Sequence, residues 1–224
     1  MRRFRAAALP AAGGPVWLDP DTSHHLLRVV GIAPGESVRL HDGQGAEAVA
    51  VLRAVQGGRA LLDAAVPVAL PAPPETILCV AVLKGPAFDL ALRMAVELGV
   101  TAIFPVQADR SVPRGERVDR WARVVAAAAD QCGRAVVPAV AEAAPLGRVL
   151  GALPAGLPLR LHLPGGPALP ATDGPVGLLV GPEGGWSPAE VDLARAAGAV
   201  EAGLGPFVLR ADTAVAAALS RARS

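Results

Sequence analysis

The chain has 224 residues, of which 52% are hydrophobic and 18% are charged, and its formal net charge is +1. This length and composition argue against a disordered chain and predict one large or two small domains with a buried core. No apolar run reaches the roughly 18–20 residues of a membrane span, and Pro10 interrupts the basic, alanine-rich start, so we expect neither a membrane segment nor a secretory signal.

Short strands joined by glycine turns are predicted in the first third of the chain. A helix is predicted only at 23–31, with Ser23 as its N-cap and Gly31 after its last turn. We therefore predict a small β-barrel-like domain over residues 1–68. The hairpin segments are ESVRLHD (36–42), the turn Gly43–Gly45, AEAVAVLRAV (46–55), the turn Gly57–Gly58 and RALLDAAV (59–66).

A proline-rich segment and then an alternation of strands and helices follow. The four prolines of PVALPAPPE (67–75) predict a stiff linker over 69–75, ahead of a second domain over 76–224. Continuous apolar strands between helices predict an α/β fold with a parallel sheet covered on both faces. Strands are predicted at 76–83, 102–107, 159–163, 176–181 and 200–205, and helices at 88–99, 118–133, 187–197 and 213–223.

The cysteines, one tryptophan and two histidines are interpreted as structural residues. Cys79 and Cys132 stand in apolar surroundings without CxxC spacing, so we expect two reduced core cysteines of a cytoplasmic protein and no metal site. Trp121 lies on the apolar face of its helix and is expected in the core. His24 and His25 are interpreted as surface or packing residues. Phe4 is either a stacking partner for a base or an ordinary strand residue.

The segment LLVGPEGGWSPAE (178–190) is predicted as a strand, a glycine-rich loop and a helix with a capping box between Ser187 and Glu190. Its glycines either form a tight turn or clear space for a ligand. A second loop, around Gly203 and Gly205, repeats the arrangement, and two such loops side by side favour a nucleotide-like ligand at the strand ends. Neither GxxxxGK[ST] nor GxGxxG is present, so the usual nucleotide-binding loops are excluded.

The segment GPEGGWSPAEVDLARAAGAVEAGLGPFVLRADTAVAAAL resembles the C-terminal signature of the RsmE family of 16S ribosomal RNA uridine-N3 methyltransferases in the SPOUT superfamily. The family pattern is GPEGG-aromatic-S-x-x-E and then LG-x-x-x-LR-x-E-T-A. Upstream, KGPAFDLALRMAVELGVTAIFPVQADRS and HHLLRVVGIAPGESVRLHDGQG are similar to the family's Lys-Gly segment and PUA-like N-terminal domain. Asp212 replaces the usual Glu, Trp186 the commoner Phe, and Ala87 a frequent Arg.

This resemblance implies a SPOUT domain with a deep C-terminal trefoil knot, a PUA-like barrel and a homodimer in which Val215 and Leu219 pack against the partner. It also implies S-adenosylmethionine as the cofactor, held by backbone groups of two loops that glycines keep open. The residues expected to bind it are Leu179, Gly181, Pro182, Glu183, Gly184 and Gly185 on one wall and Leu204, Gly205 and Leu209 on the other.

The same resemblance implies methylation of uridine N3 in 16S ribosomal RNA, within the small ribosomal subunit. Arg210 is the candidate catalytic residue, because it follows the second loop and could stabilise negative charge on a uracil oxygen. The alternative is a structural salt bridge between Arg210 and Asp212 or Glu183. No general base can be named from the sequence.

Clustered basic residues are the expected RNA contacts. Three arginines fall in the first five residues and six between 110 and 134, although codon bias in a GC-rich genome also explains the arginine content. Two other functions stay open, a SPOUT methyltransferase for another RNA and a non-catalytic RNA-binding factor. The residues predicted to contact RNA are Arg2, Arg3, Arg5, Arg28, Lys84, Arg110 and Arg134.

Overall fold

The structure is a computed structural model that describes residues 1–111 and 118–224. Its contacts divide the chain into two compact units. The first comprises Met1–Ala72 and Ala129–Val137, and the second comprises Pro73–Ala128 and Pro138–Ser224. The sequence patterns did not predict that Ala129–Val137 packs with the first unit.

A six-stranded sheet forms the first unit, with strands β1 (Arg3–Arg5), β2 (Gly14–Trp17), β3 (Ser37–His41), β4 (Ala46–Gln56), β5 (Arg59–Ala64) and β6 (Val68–Ala69). The order is β1-β3-β4-β5-β2, and β6 also pairs with β4. Only β1 and β3 are parallel among these pairs. The two predicted hairpins, β3–β4 and β4–β5, are confirmed.

The proline-rich segment is not a linker throughout. Its residues Val68 and Ala69 form β6 and pair with Glu47 and Ala46 of β4. The prolines at 67 and 71 lie just outside this short strand, so no ladder hydrogen bond is lost to them.

The N-cap prediction for the first helix is wrong. Helix α1 (Pro20–His24) begins after Asp19, whose carboxylate accepts a 2.9 Å hydrogen bond from the amide of Thr22, and a π-helical turn (His25–Val29) follows it. Ser23 is fully buried, where its hydroxyl accepts from the amide of Ala60 at 3.1 Å and donates to the carbonyl of Leu18 at 3.3 Å. A hydroxyl inside the core is needed there to satisfy backbone groups.

Phe4 belongs to the hydrophobic core of the first unit. This residue on β1 is only 5% exposed and packs among leucines of the sheet and helix, so the structure supports the ordinary strand interpretation over base stacking. His24 and His25 are exposed, as expected, and the ring of His25 lies 5.9 Å from that of Phe4.

A seven-stranded parallel sheet forms the second unit, which confirms the predicted α/β fold. Its order is β10-β8-β7-β12-β11-β13, with β9 paired to β8. Every residue of the central strands β7 and β12 is buried. The strands are β7 (Thr76–Ala81), β8 (Ala102–Gln107), β9 (Ala139–Val140), β10 (Ala144–Pro145), β11 (Leu159–His162), β12 (Val176–Val180) and β13 (Val200–Ala202).

Helices cover both faces of this sheet. The helices are α2 (Pro86–Glu97), α3 (Val118–Cys132), α4 (Leu146–Ala152), α5 (Pro188–Ala196) and α6 (Ala211–Ala222). α2 packs on α6 and α6 on β12, whereas α4 packs on α5 and on β8. Side chains of α4 and α5 share a core with Ile77, Cys79 and Leu179, which alternate with the residues that face α6.

The two cysteines differ in environment. Cys79 is fully buried, and this burial raises the pKa of its thiol to about 12. Cys132 is exposed, so its predicted place in the core is wrong, because it ends α3 beyond the last buried turn at Ala128 and Ala129. Trp121 of the same helix is buried as predicted, with its ring edge-on to Phe88 at 4.9 Å.

The C-terminal helix α6 packs against other elements of the same chain. Val215 and Leu219 are fully buried, and their helix packs on the protein's own α2 and β12. The prediction that these two residues pack against a second subunit is therefore wrong. Arg223 follows the helix and donates to the carbonyls of Glu75 at 2.9 Å and of Thr172 and Gly174 at 2.8 Å. It also contacts the hydroxyl of Thr76 at the start of β7.

No helix in residues 1–111 and 118–224 has both the length and the apolar character needed to cross a membrane. Nor does the same part of the chain contain three or more His, Cys, Asp or Glu side chains grouped for metal binding.

Candidate active site

Loops after β11, β12 and β13 surround a cleft at the carboxyl edge of the parallel sheet. It holds about 450 Å³ of space, part of it open to solvent. β11 lies between β12 and β13, so the two predicted loops do not follow adjacent strands, although segments of both line the cleft. The order of parallel strands is set by their crossovers and does not follow chain order. The cleft is lined by His162, Leu163, Pro164, Gly181, Pro182, Glu183, Gly185, Trp186, Val208, Leu209, Ala211 and Ala214.

The predicted cofactor residues divide among several places. Gly181, Pro182, Glu183, Gly185 and Leu209 line the cleft. A small apolar cavity beside it, which shares His162, is lined by others of the predicted set, Leu179 and Leu204. Neither lining includes Gly184, Gly205 or Arg210.

Two glycines of the GPEGG loop make room for the protein's own side chains. A Cβ on Gly181 would lie 3.1 Å from the indole of Trp186, and one on Gly184 would lie 3.2 Å from Cβ of Arg110. The loop is also a tight turn, because the amide of Gly185 donates to the carbonyl of Pro182 at 2.8 Å. For Gly181 and Gly184, the expectation that glycine clears space for a ligand therefore does not hold.

Gly185 and Gly205 differ from these two. Both have positive φ angles, +68° and +138°, in the region that glycine favours, and in the described part of the chain no atom beyond the adjacent residues lies within 4 Å of a Cβ built on either. Their backbones thus border open space, as a ligand approaching the main chain requires.

A buried carboxylate locks the GPEGG loop to the end of β8. Glu190 is 6% exposed, and it accepts from the amides of Ser187 at 2.8 Å and Asp109 at 3.0 Å. Ser187 completes the predicted capping box and donates its hydroxyl to Asp109 at 2.6 Å. Arg110 donates to the carbonyl of Gly184 at 3.0 Å. These hydrogen bonds tie the loop to the end of β8 and restrict its conformations.

The loops after β11 and β13 are in backbone contact. The amides of Leu163 and Leu169 donate to the carbonyls of Ala202 and Gly203, each at 3.0 Å. A Cβ on Gly203 would lie 2.2 Å from the carbonyl oxygen of Gly166, so only glycine fits there. This crossing joins the loop that follows His162 to the end of β13.

His162 is a site residue that the sequence reasoning missed. It ends β11 in the cleft wall, with Nδ1 3.3 Å from the carbonyl oxygen of Ala202. Burial lowers the pKa of His162 below its usual 6.5, although the hydrogen bond to Ala202 opposes this. The imidazole is therefore neutral at pH 7, with Nδ1–H as the donor. A strand-ending histidine before Pro-Gly-Gly was the available signal.

Arg210 occupies the N-cap position of α6, beside the cleft. Its side chain is 82% exposed, and Nε lies 3.7 Å from a carboxylate oxygen of the buried Asp212. The alternative salt bridge with Asp212 is thus present as a long, solvent-exposed contact, which contributes little energy.

The predicted RNA-binding residues have different surroundings. Arg2, Arg5 and Arg28 are exposed on the first unit, and Lys84 and Arg110 are exposed after β7 and β8. Arg3 lies with its Nε 2.8 Å from the buried Glu47, which Arg39 also contacts. Arg134 is half-buried, and burial lowers its pKa. The neighbouring arginines at 114 and 117 lie outside the described residues.

The structure defines an α/β protein with a cleft at the carboxyl ends of its parallel strands, and the RNA methyltransferase domain family matches residues 71–223. The ribosomal RNA small subunit methyltransferase E of Mycobacterium bovis is 37% identical, over 96% of this chain and 88% of its own length. That of Synechocystis is 34% identical, over 88% and 69%. The chain belongs to the family of ribosomal RNA small subunit methyltransferases E.

Solved structures agree with this membership. A ribosomal RNA small subunit methyltransferase E from Neisseria gonorrhoeae, bound to S-adenosyl methionine, has a TM-score of 0.89 at 31% identity, covering 98% of this chain and 95% of that one. A Legionella pneumophila methyltransferase in complex with the same cofactor has a TM-score of 0.82 at 27% identity, covering 97% and 95%.

Proposed function

We propose that this protein transfers a methyl group from S-adenosylmethionine to N3 of a uridine in 16S ribosomal RNA of the small subunit. The relatives named above methylate small-subunit ribosomal RNA according to their names, and two structural neighbours hold the cofactor. The observation that carries the proposal is the cleft at the carboxyl edge of the sheet, lined by the open backbone of Gly185 and by Val208 and Leu209 of the loop after β13.

The cleft suits a cofactor that carries a sulfonium cation. Its lining contains one carboxylate, Glu183, and no lysine or arginine, and its histidine is neutral at pH 7. Leu163, Val208 and Leu209 offer apolar contact to a purine ring, and loop carbonyls and amides offer hydrogen bonds to its edge. When bound, the cofactor supplies a methyl group that is already activated for transfer.

Arg210 is the residue of this chain that we propose to take part in the reaction. Uridine N3 must lose its proton before it can attack, and the negative charge then spreads to the neighbouring carbonyl oxygens. A guanidinium beside the cleft that is 82% exposed and in long contact with Asp212 is available to stabilise that charge. The rest of catalysis is positioning of the two reactants.

We further propose the family's architecture for the chain. The backbone crossing of Gly166 and Gly203 and the anchoring of Arg223 to the 172–174 segment support a C-terminal trefoil knot. The six-stranded sheet of the first unit supports a PUA-like barrel over 1–68, with 69–75 joining it to a SPOUT domain over 76–224. A cytoplasmic homodimer that acts on the small subunit completes the proposal.

The decisive experiment measures binding and transfer separately. S-adenosylmethionine is titrated calorimetrically into the protein, and unmethylated 16S ribosomal RNA and small subunits are then incubated with labelled cofactor and analysed for 3-methyluridine. Cofactor binding with 3-methyluridine formation is expected. Methylation of a different RNA would favour the other SPOUT activity, and RNA binding without cofactor binding would favour a non-catalytic factor.

A further inference from the structure

Two successive apolar side chains stand in solvent at the mouth of the cleft. Phe207 is 80% exposed and Val208 is 81% exposed, the highest values among large hydrophobic residues in the described part of the chain. Phe4 and Phe88, by comparison, are buried at 5% and 2%. An aromatic ring exposed beside a ligand site is a surface on which a flat partner can stack.

The position of Phe207 limits what that partner can be. The next two residues, Val208 and Leu209, line the cleft, so the phenyl ring lies one residue from its wall. Arg210 then presents a guanidinium that is 82% exposed. An aromatic face and a cation within four residues match the two parts of a nucleotide, a flat base and a phosphate.

Other charges at this edge of the sheet agree with a nucleic-acid partner. Lys84 and Arg110 follow β7 and β8, so both lie at the same carboxyl edge as Phe207, and both are exposed. Two apolar side chains supply little of the roughly 800 Å² per partner that a stable protein interface needs, and the cations beside them favour RNA as the occupant.

We propose that the ring of Phe207 stacks on the uracil base presented for methylation and holds it at the mouth of the cleft. This inference rests on the proposed function and adds a positioning residue to it. A base has to leave its stack to reach an enzyme cleft, and a protein aromatic ring replaces part of the stacking that is lost. Phe207 then acts on RNA binding and orientation, and not on cofactor capture.

The test compares Phe207→Ala and Phe207→Trp with the wild type under single-turnover conditions on unmethylated 16S ribosomal RNA. The alanine variant is expected to lose roughly 10- to 100-fold in the single-turnover rate at subsaturating concentrations, the usual effect of one base–aromatic contact, with its affinity for S-adenosylmethionine unchanged. The tryptophan variant should retain most of the activity, because it also stacks. Val200→Ala, at the opposite end of β13 and 56% exposed, is the matched control and should behave as wild type.

A binding measurement keeps this inference separate from the proposed function. The added tryptophan of Phe207→Trp should be quenched by a short single-stranded RNA with one uridine, and not by the same RNA with an abasic site in its place. If the wild type transfers no methyl group, the proposed function fails, and the quenching alone decides on stacking. Full activity of Phe207→Ala, equal quenching by both RNAs, or a change of oligomeric mass in Phe207→Ala would overturn the inference.

Discussion

At the scale of single residues, Arg210 separates chemistry from binding. Arg210→Ala should lower the single-turnover methylation rate by roughly 10²–10³ while S-adenosylmethionine affinity stays unchanged, because the guanidinium acts on charge that develops on the uracil. Arg210→Lys should restore little, since a point charge does not reproduce the planar fork. Arg221→Ala, an exposed arginine in the last turn of the same helix, is the control. A loss below about tenfold, or a parallel loss of cofactor affinity, would make Arg210 structural.

His162 gives the protein a pH-dependent stability of known sign. Burial lowers its pKa below 6.5 in the folded state, so the unfolded chain binds the proton more readily. Its contribution is fully present above about pH 6.5 and is lost as the pH falls through the folded pKa. The free energy of unfolding, measured by urea denaturation between pH 7 and 5, should fall with a slope of at most about 1.4 kcal/mol per pH unit from this group.

His162→Gln should remove that part of the slope, whereas His24→Gln, on the exposed surface of α1, should leave it. Identical slopes in the wild type and His162→Gln would contradict the assignment. His41 is a second buried histidine with a lowered pKa, because burial outweighs the attraction of Asp130 at 3.6 Å. The wild-type slope therefore keeps a component after His162 is replaced.

At the scale of elements, the buried Glu190 at the start of α5 joins the GPEGG loop to the end of β8 by hydrogen bonds. Glu190→Gln leaves one side-chain oxygen for two buried amides and should cost about 1–3 kcal/mol of unfolding free energy. Asp192→Asn on the same helix removes only a surface pair with Arg195 and should cost under about 1 kcal/mol. Equal effects of the two variants on the thermal midpoint would show that the network contributes nothing special.

Elements of the second unit were predictable where a periodic apolar pattern and a cap coincide. The capping box of Ser187 and Glu190 predicted where α5 begins, and the continuous apolar runs predicted the positions of β7, β8 and β12. The two-residue strands β9 and β10 and the short helix α4 carry too few residues for any period to show, and they were missed.

Contacts between distant segments were not predictable from local pattern. Ser23 fits the sequence pattern of an N-cap, but Asp19 caps the helix. The hydroxyl of Ser23 is buried and accepts a hydrogen bond from the amide of Ala60. The glycines of GPEGG predicted a ligand site at a strand end, where the structure has a cleft, yet two of them accommodate Trp186 and Arg110. Both facts depend on side chains that meet only after the fold forms.

At the scale of the whole molecule, the first unit should bind RNA through phosphates. Changing Arg2, Arg5 and Arg28 together to alanine should reduce the slope of log affinity against log salt by up to about 2, since each phosphate contact to a single strand contributes roughly 0.7. Arg3 is left unchanged because it neutralises the buried Glu47, and its removal would destabilise the fold. Arg53→Ala, already paired with Asp63, is the control, and an unaltered slope in the triple variant would rule out these contacts.

The anchoring of Arg223 has a consequence for how the protein is made. Its guanidinium joins the hydroxyl of Thr76, 147 residues earlier in the chain, to the carbonyls at 172 and 174. Thr101 can bond the first residue of β7 early in synthesis, whereas the contact with Arg223 forms only after nearly the whole second unit has been made. Contacts of such long sequence separation make folding slow and leave apolar strands uncovered in the meantime. A nascent chain halted before residue 223 should be sensitive to protease at 74–76, and one extended past it should be resistant.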